Sequence, residues 1–203
     1  MSSTTRTFAA ALLIAAAACS KTSTTEEATK PVTPRAPATG AEQGSLDLTS
    51  AAFAEGGTVP SRFTCQGQDV SPPLAWRDPP AGTKSFAVVV DDPDAPDPKA
   101  PKQTFVHWVL YDLPADTRSL PEGTTAPPQG ARAGKNDFGK TTYGGPCPPV
   151  GRHRYFFKVY ALDTVMQDIG EPTAPELMKK IEGHILARGQ LMGTYEKGAG
   201  PRT

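Results

Sequence analysis

Three segments of the chain bring together residue types able to do chemistry, each at the edge of an apolar run and beside Gly or Pro. The first is Asp91-Asp92-Pro93-Asp94-Ala95-Pro96, a carboxylate cluster in a proline-bounded turn. The second is His107-Trp108, an imidazole inside an apolar stretch. The third is Gly144-Gly145-Pro146-Cys147-Pro148-Pro149, a stiff loop leading into His153-Arg154-Tyr155. Asp, His and Tyr in such a set suit general acid–base work, and His107, His153 and Asp92 have the donor types of a metal site. Against an enzyme stand the absence of Gly-x-Ser-x-Gly and of a serine beside a base. Against a metal stands the lack of short-spaced histidines, so no metal and no cofactor is expected. The plainer readings are a satisfied core histidine and an Asp-Pro-Asp turn whose carboxylates bond local backbone.

The elements that position these residues are read from periodicity. Leu46 to Phe53 alternates as an opening strand would, and a short strand centres on Ala75-Trp76. Ser85 to Asp91 is compact, β-branched and bounded by turn residues, which predicts a buried central strand. Gln103 to Leu113 predicts a strand covered on both sides. Val106, Trp108 and Leu110 fall on one face, and Phe105, His107, Val109 and Tyr111 on the other. Pro114 to Tyr143 reads as a long irregular loop. His153 to Leu162 is another strand, with His153, Tyr155 and Phe157 sharing a face. A helix is predicted from Ala174 to about Ala187, capped by Thr173 and Glu176 and striped by Leu177, Ile181 and Ile185. His184 falls on its surface or is partly packed, and Leu191 to Tyr195 reads as a last short strand.

Composition bounds the rest. Lys plus Arg and Asp plus Glu both number 21, so there is no basic excess and nucleic acid is a poor partner. The 22 prolines and 19 glycines favour a β-rich fold over a helical one. Arg6 followed by the apolar run Phe8 to Ala18 reads as an export signal over residues 1–19, too short to span a bilayer. It ends Ala16-Ala17-Ala18-Cys19, similar to a lipobox with Ala where Leu is usual three places before the cysteine. The expectation is a lipoprotein acylated at Cys19 and facing the periplasm or cell exterior; a soluble secreted protein is the alternative. Residues 20–44 are a Thr/Ala/Pro-rich tether with too few apolar residues to pack. The folded domain is set at 45–197 and a tail at 198–203. With Cys19 acylated, Cys65 and Cys147 remain as a disulfide candidate, the alternative being two buried thiols. Closing a loop of this length contributes about 4–5 kcal/mol in the chain-entropy model.

Taken in order, Asp92-Pro93-Asp94-Ala95-Pro96, His107 in its apolar strand and the Gly-Pro loop before His153-Arg154-Tyr155 resemble the phosphatidylethanolamine-binding protein family, in its bacterial Raf-kinase-inhibitor-like branch. Ser71-Pro72-Pro73-Leu74, Asn136-Asp137-Phe138-Gly139 and Tyr143 to Pro149 add to the match, which spans about Leu46 to Tyr195. The resemblance implies a mostly β, antiparallel sandwich: a large central sheet, a smaller one, and one or two peripheral helices. It also implies a shallow pocket for phosphate-like or carboxylate anions built from Asp92, Asp94, His107, Gly145, Pro148, His153 and Tyr155. Imidazolium and phenol groups and the loop N–H groups would donate to the anion, while Asp92 accepts from a histidine ring nitrogen and favours its charged form. Binding would then weaken as pH rises through about 6–7. Where eukaryotic relatives have a simpler Gly-Pro-Pro loop, this chain has Gly-Pro-Cys-Pro-Pro, which leaves open the proline that lines the pocket. No match to a flanking C-terminal helix follows Tyr195, so a more open pocket is expected. The function expected is non-catalytic binding of a small anion or phospholipid headgroup at the cell envelope. An inhibitor or interaction module for an envelope protein, a homodimer, and a hydrolase using the Asp/His/Tyr set are the alternatives.

Overall fold

A computed structural model describes residues 44–128 and 130–198. The export signal, Cys19 and the tether up to residue 43 lie outside the described residues. Nine strands form two sheets: β1 (Gly44–Ser45), β2 (Asp47–Thr49), β3 (Leu74–Arg77), β4 (Ser85–Asp92), β5 (Phe105–Pro114), β6 (Ser119–Leu120), β7 (Arg132–Ala133), β8 (Arg152–Leu162) and β9 (Ile185–Glu196). The large sheet has the order β1-β9-β8-β4-β5-β7 and the small one β2-β3-β6. Neighbours are antiparallel except β1, which runs parallel to β9. One helix, α1 (Ala174–Ile181), lies against the large sheet.

Every residue of β4 is buried, as its unbroken apolar run demands of a central strand covered on both faces. One face meets the small sheet through Phe86, Val88, Val90, Trp108, Leu110 and Phe157 against Leu48, Leu74, Trp76 and Leu120. The other face carries Ala87, Val89, Val109 and Tyr111, and Leu177 and Ile181 of α1 close over it. Two apolar layers on one sheet explain why β4 and β5 lack the alternation of a half-exposed sheet, which β8 and β9 keep over most of their length.

Three local expectations give way. The helix stops at Ile181 and Ile185 opens β9, a strand of 12 residues rather than a short terminal piece. The i, i+4 spacing there is outweighed by pairing along nearly the whole of β8, from Arg152↔Glu196 to Leu162↔Ile185, and Gly183 and Gly189 are poor helix formers. Of the opening strand expected over Leu46 to Phe53 only the three residues of β2 form, and β1, just before it, joins the other sheet. The stretch after β5 contributes the two-residue strands β6 and β7.

The correction with most consequence concerns β5. Val90 pairs with Trp108, but the next residue, Asp91, pairs with Val106, so His107 is an extra residue, a β-bulge. A bulge reverses the facing of everything beyond it. Val106 therefore joins Val109 and Tyr111 beneath the helix, while Trp108 and Leu110 face the small sheet. His107 does not share the row of Val109 and Tyr111; its ring stands edge-on to Tyr155 of β8, centroids 5.3 Å apart.

Candidate functional site

The ends of β4, β5 and β8 converge on a cavity of about 200 Å³. Asp92, Phe105, His107, His153 and Tyr155 line it from the strands, Ala95, Pro96, Gln103 and Phe138 from adjoining loops, and Cys147, Pro148 and Pro149 from the loop before β8.

Asp92 ends β4 with one carboxylate oxygen on the His153 Nδ1 at 2.7 Å and the other accepting the Asp94 N–H at 2.8 Å. His153 is fully buried, and its Nε2 lies 3.0 Å from the Val150 carbonyl oxygen. Both ring nitrogens are therefore engaged, Nδ1 by the Asp92 carboxyl and Nε2 by the Val150 carbonyl, in a buried histidine–carboxyl pair. Its ring stacks on Tyr155 at 6.3 Å. With both nitrogens engaged, His153 has no lone pair to give a metal, and among the described residues no cluster of His, Cys, Asp and Glu could hold one.

Asp94 stands behind this pair rather than in the lining. Its carboxylate accepts the Arg154 backbone N–H at 2.9 Å and the guanidinium Nε–H and Nη2–H at 2.9 and 2.7 Å. The hydrogen bond from the Arg154 side chain, more than the opposing burial, holds the Asp94 carboxyl below the usual carboxylate range. The fork ties the turn after β4 to β8.

His107 is held by its bulge partners. Its Nδ1–H donates to the Gly144 carbonyl at 2.7 Å, and the Gly144 N–H returns a bond to the His107 carbonyl at 3.1 Å. Buried Asn136 donates to the same carbonyl at 3.1 Å and to that of Thr142 at 2.8 Å. The rings of Phe105 and Phe138 pack on the imidazole, 5.2 and 5.5 Å away. Burial is the largest influence on this imidazole and lowers its pKa; the Gly144 carbonyl and then Asp92, Asp91 and Asp137 oppose it without prevailing.

The third wall is cross-braced. Cys147 is disulfide-bonded to Cys65, with Cα atoms 5.4 Å apart. The Cys65 N–H donates to the Pro146 carbonyl at 3.1 Å, the Gly145 N–H to Asp69 Oδ1 at 2.7 Å, and the Tyr143 hydroxyl to the Phe63 carbonyl at 3.1 Å. Gly145 is thus a strut, not a lining residue. A Cβ there would run into the Phe63 carbonyl and the Asp69 carboxylate. Both Pro148 and Pro149 face the cavity.

Two buried polar atoms of the lining have no hydrogen-bond partner among the described residues: His107 Nε2 and the Tyr155 hydroxyl. Burial first, and the charge of Asp92 second, push the phenol strongly upward, so it stays neutral. Asp92 acts on Tyr155 through its charge and, more weakly, as a side-chain hydrogen-bond neighbour, but the two do not meet the distance and angle of a full hydrogen bond.

Of the residues expected to form the pocket, Asp92, His107, Pro148, His153 and Tyr155 line one cavity, while Asp94 and Gly145 support it from behind. Gln103, Phe105 and Phe138 were not anticipated in the lining. The Asn136-Asp137-Phe138-Gly139 motif held a signal for two members of the site, since Asn136 staples the bulge and Phe138 packs on His107.

The chain is thus a two-sheet β-sandwich with a small, mostly apolar cavity at the strand ends. Residues 49–196 match the phosphatidylethanolamine-binding protein family, and the chain belongs to that family. It is 41% identical over 156 residues to a UPF0098 protein of Methanothermobacter thermautotrophicus, covering 75% of this chain and 100% of the relative. A phosphatidylethanolamine-binding protein homologue of Chlamydia trachomatis superposes with a TM-score of 0.70 at 40% identity, covering 77% of this chain and all of that one. YbcL of E. coli, described as a member of the mammalian PEBP family, gives 0.69 at 32% identity, covering 76% and 100% of the two chains.

Proposed function

We propose that this chain is a non-catalytic binding protein of the bacterial cell envelope whose cavity takes a small anion of the phosphate or phospholipid-headgroup type. The observation that carries this reading is the pair of unpartnered polar atoms, His107 Nε2 and the Tyr155 hydroxyl, in side chains only 2% and 0% exposed. Buried polar atoms are almost always satisfied, so two on one small cavity mark where a ligand's polar atoms belong. A binding role is favoured over catalysis because the other histidine is fully engaged and the cysteine of the wall is oxidised. The export-type leader and its Cys19 support an envelope location.

Calorimetry with phosphate and phosphoethanolamine on wild type and His107→Ala tests the site. Loss of affinity in the variant is expected, and equal affinity in both removes His107 from it. Fractionation of cells expressing wild type and Cys19→Ala tests the anchor: wild type belongs with membranes and the variant in the soluble fraction. A second reading, a docking module, is favoured by Phe138 and Val150, which are 43% and 56% exposed beside the cavity.

A further inference from the structure

On the anion-cavity reading, the lining also bears on the protonation state in which a ligand enters. The His107 Nδ1 lies 2.7 Å from the Gly144 carbonyl oxygen, and a carbonyl only accepts. The proton of the neutral ring therefore sits on Nδ1, and Nε2 presents a lone pair for which no described group donates. An anionic oxygen without hydrogen would set lone pair against lone pair.

The surrounding charges point the same way. No Lys or Arg is among the described lining residues. His153 is already paired with Asp92, Arg154 with Asp94, and Lys158 with Asp91. The charged groups acting on His107 are carboxylates, Asp91 and Asp92 from β4 and Asp137 from the segment before β8; β8 adds neutral Tyr155 and the paired His153. A dianion would lose its water and meet no uncommitted cation in this lining. Burial of His107 opposes its becoming one.

We propose that the cavity selects a phosphate monoester in its singly protonated form, the P–O–H donating to His107 Nε2 while a charged oxygen accepts from the Tyr155 hydroxyl. Phosphate monoesters suit this task because their second ionisation falls near pH 6, so the hydrogen-bearing form is present under ordinary conditions. A carboxylic acid has lost its proton by then. A phosphodiester, the linkage within an intact phospholipid headgroup, carries no P–O–H and is discriminated against. The shared phosphate chemistry thus resolves toward a free monoester.

The test is calorimetry on the full chain with phosphoethanolamine, a monoester, and glycerophosphoethanolamine, a diester. Titrations run near pH 5.5 and pH 7.5, in two buffers of different ionisation enthalpy so that proton uptake is counted. The monoester is expected to bind near pH 5.5 with uptake of only about a quarter of a proton, the share of ligand already doubly ionised there. Its affinity then falls about tenfold per pH unit above about 6, with uptake rising toward one proton, because only the protonated ligand binds. Near pH 5.5 the diester binds at least about tenfold more weakly, as expected when a buried acceptor is left unpaired, and its affinity does not change with pH. Diester affinity equal to that of the monoester near pH 5.5 overturns the proposal. So does uptake of one proton at the lower pH, which would make His107 the proton carrier. Both of these results leave the anion reading standing. Absence of binding by either ligand at either pH overturns that reading and this inference with it.

Discussion

A buried imidazole on a buried carboxyl makes Asp92 the carboxylate the fold can least spare. Asp92→Asn removes the charge and leaves one acceptor oxygen for two donors, the His153 ring and the Asp94 N–H. Breaking such a pair costs about 3–5 kcal/mol, so denaturant unfolding should show a loss of that size; a loss under about 1 kcal/mol would mean that the ring is not charged. Tyr155 behaves in the opposite way. Its hydroxyl has no described partner, so Tyr155→Phe should leave the melting temperature unchanged or higher while ligand affinity falls several-fold. A matching loss of stability would show that the hydroxyl has a structural partner. Asp94 gives a pH dependence. Arg154 holds its carboxyl low, so the pair adds stability above the unfolded value of about 3.9, lost as pH falls through the lower folded value. Arg154→Met should move the acid-unfolding midpoint, followed by circular dichroism, to higher pH. The shift should be modest, because the Arg154 side chain is half exposed.

The β-bulge at His107 and the braced loop before β8 set the shape of the cavity. The bulge turns one imidazole out of the helix-side row, and the Asn136 and Gly144 contacts hold it there. The loop depends on close backbone approach at Gly145, where an added methyl group meets Phe63 and Asp69. Gly145→Ala should cost about 1–3 kcal/mol through overpacking and weaken ligand binding by displacing Cys147 and Pro148. The disulfide spans 82 residues of sequence, and removing it as a Cys65→Ser/Cys147→Ser pair should cost about 4–5 kcal/mol in the chain-entropy model. Denaturant unfolding of that variant checks the figure, and an unchanged midpoint would mean that the reduced chain is equally restrained.

The described residues form three layers: small sheet, large sheet, short helix. Because α1 has only 8 residues, Leu177 and Ile181 carry most of the cover on that face. Leu177→Ala should cost about 2–5 kcal/mol while leaving ligand affinity nearly intact. The cavity opens at the strand ends beyond the helix-side cluster, which does not include its lining. Coupled loss of affinity and stability would mean that the two regions are one cooperative unit.

Much of this was legible in the residues. Compact apolar runs mark β4 and β5 because burial on both faces requires apolar residues almost without interruption, and alternating aromatics mark β8. The ordered Asp-Pro-Asp, His and Gly-Pro motifs mark the family because each occupies a strand end or a constrained turn of the same fold. The start of α1 at Thr173 was equally readable, since a capping box is a local hydrogen-bond pattern. What folding alone settled depends on partners distant in sequence. Whether His107 faces the helix or Tyr155 turns on a one-residue slip against β4, which no periodicity within β5 records. The length of β9 follows from the free edge of β8, not from its own composition. Which histidine is paired and which keeps a lone pair follows from Asp92, Val150 and Gly144 meeting in space, because a ring's protonation answers to its neighbours and not to its place in the chain.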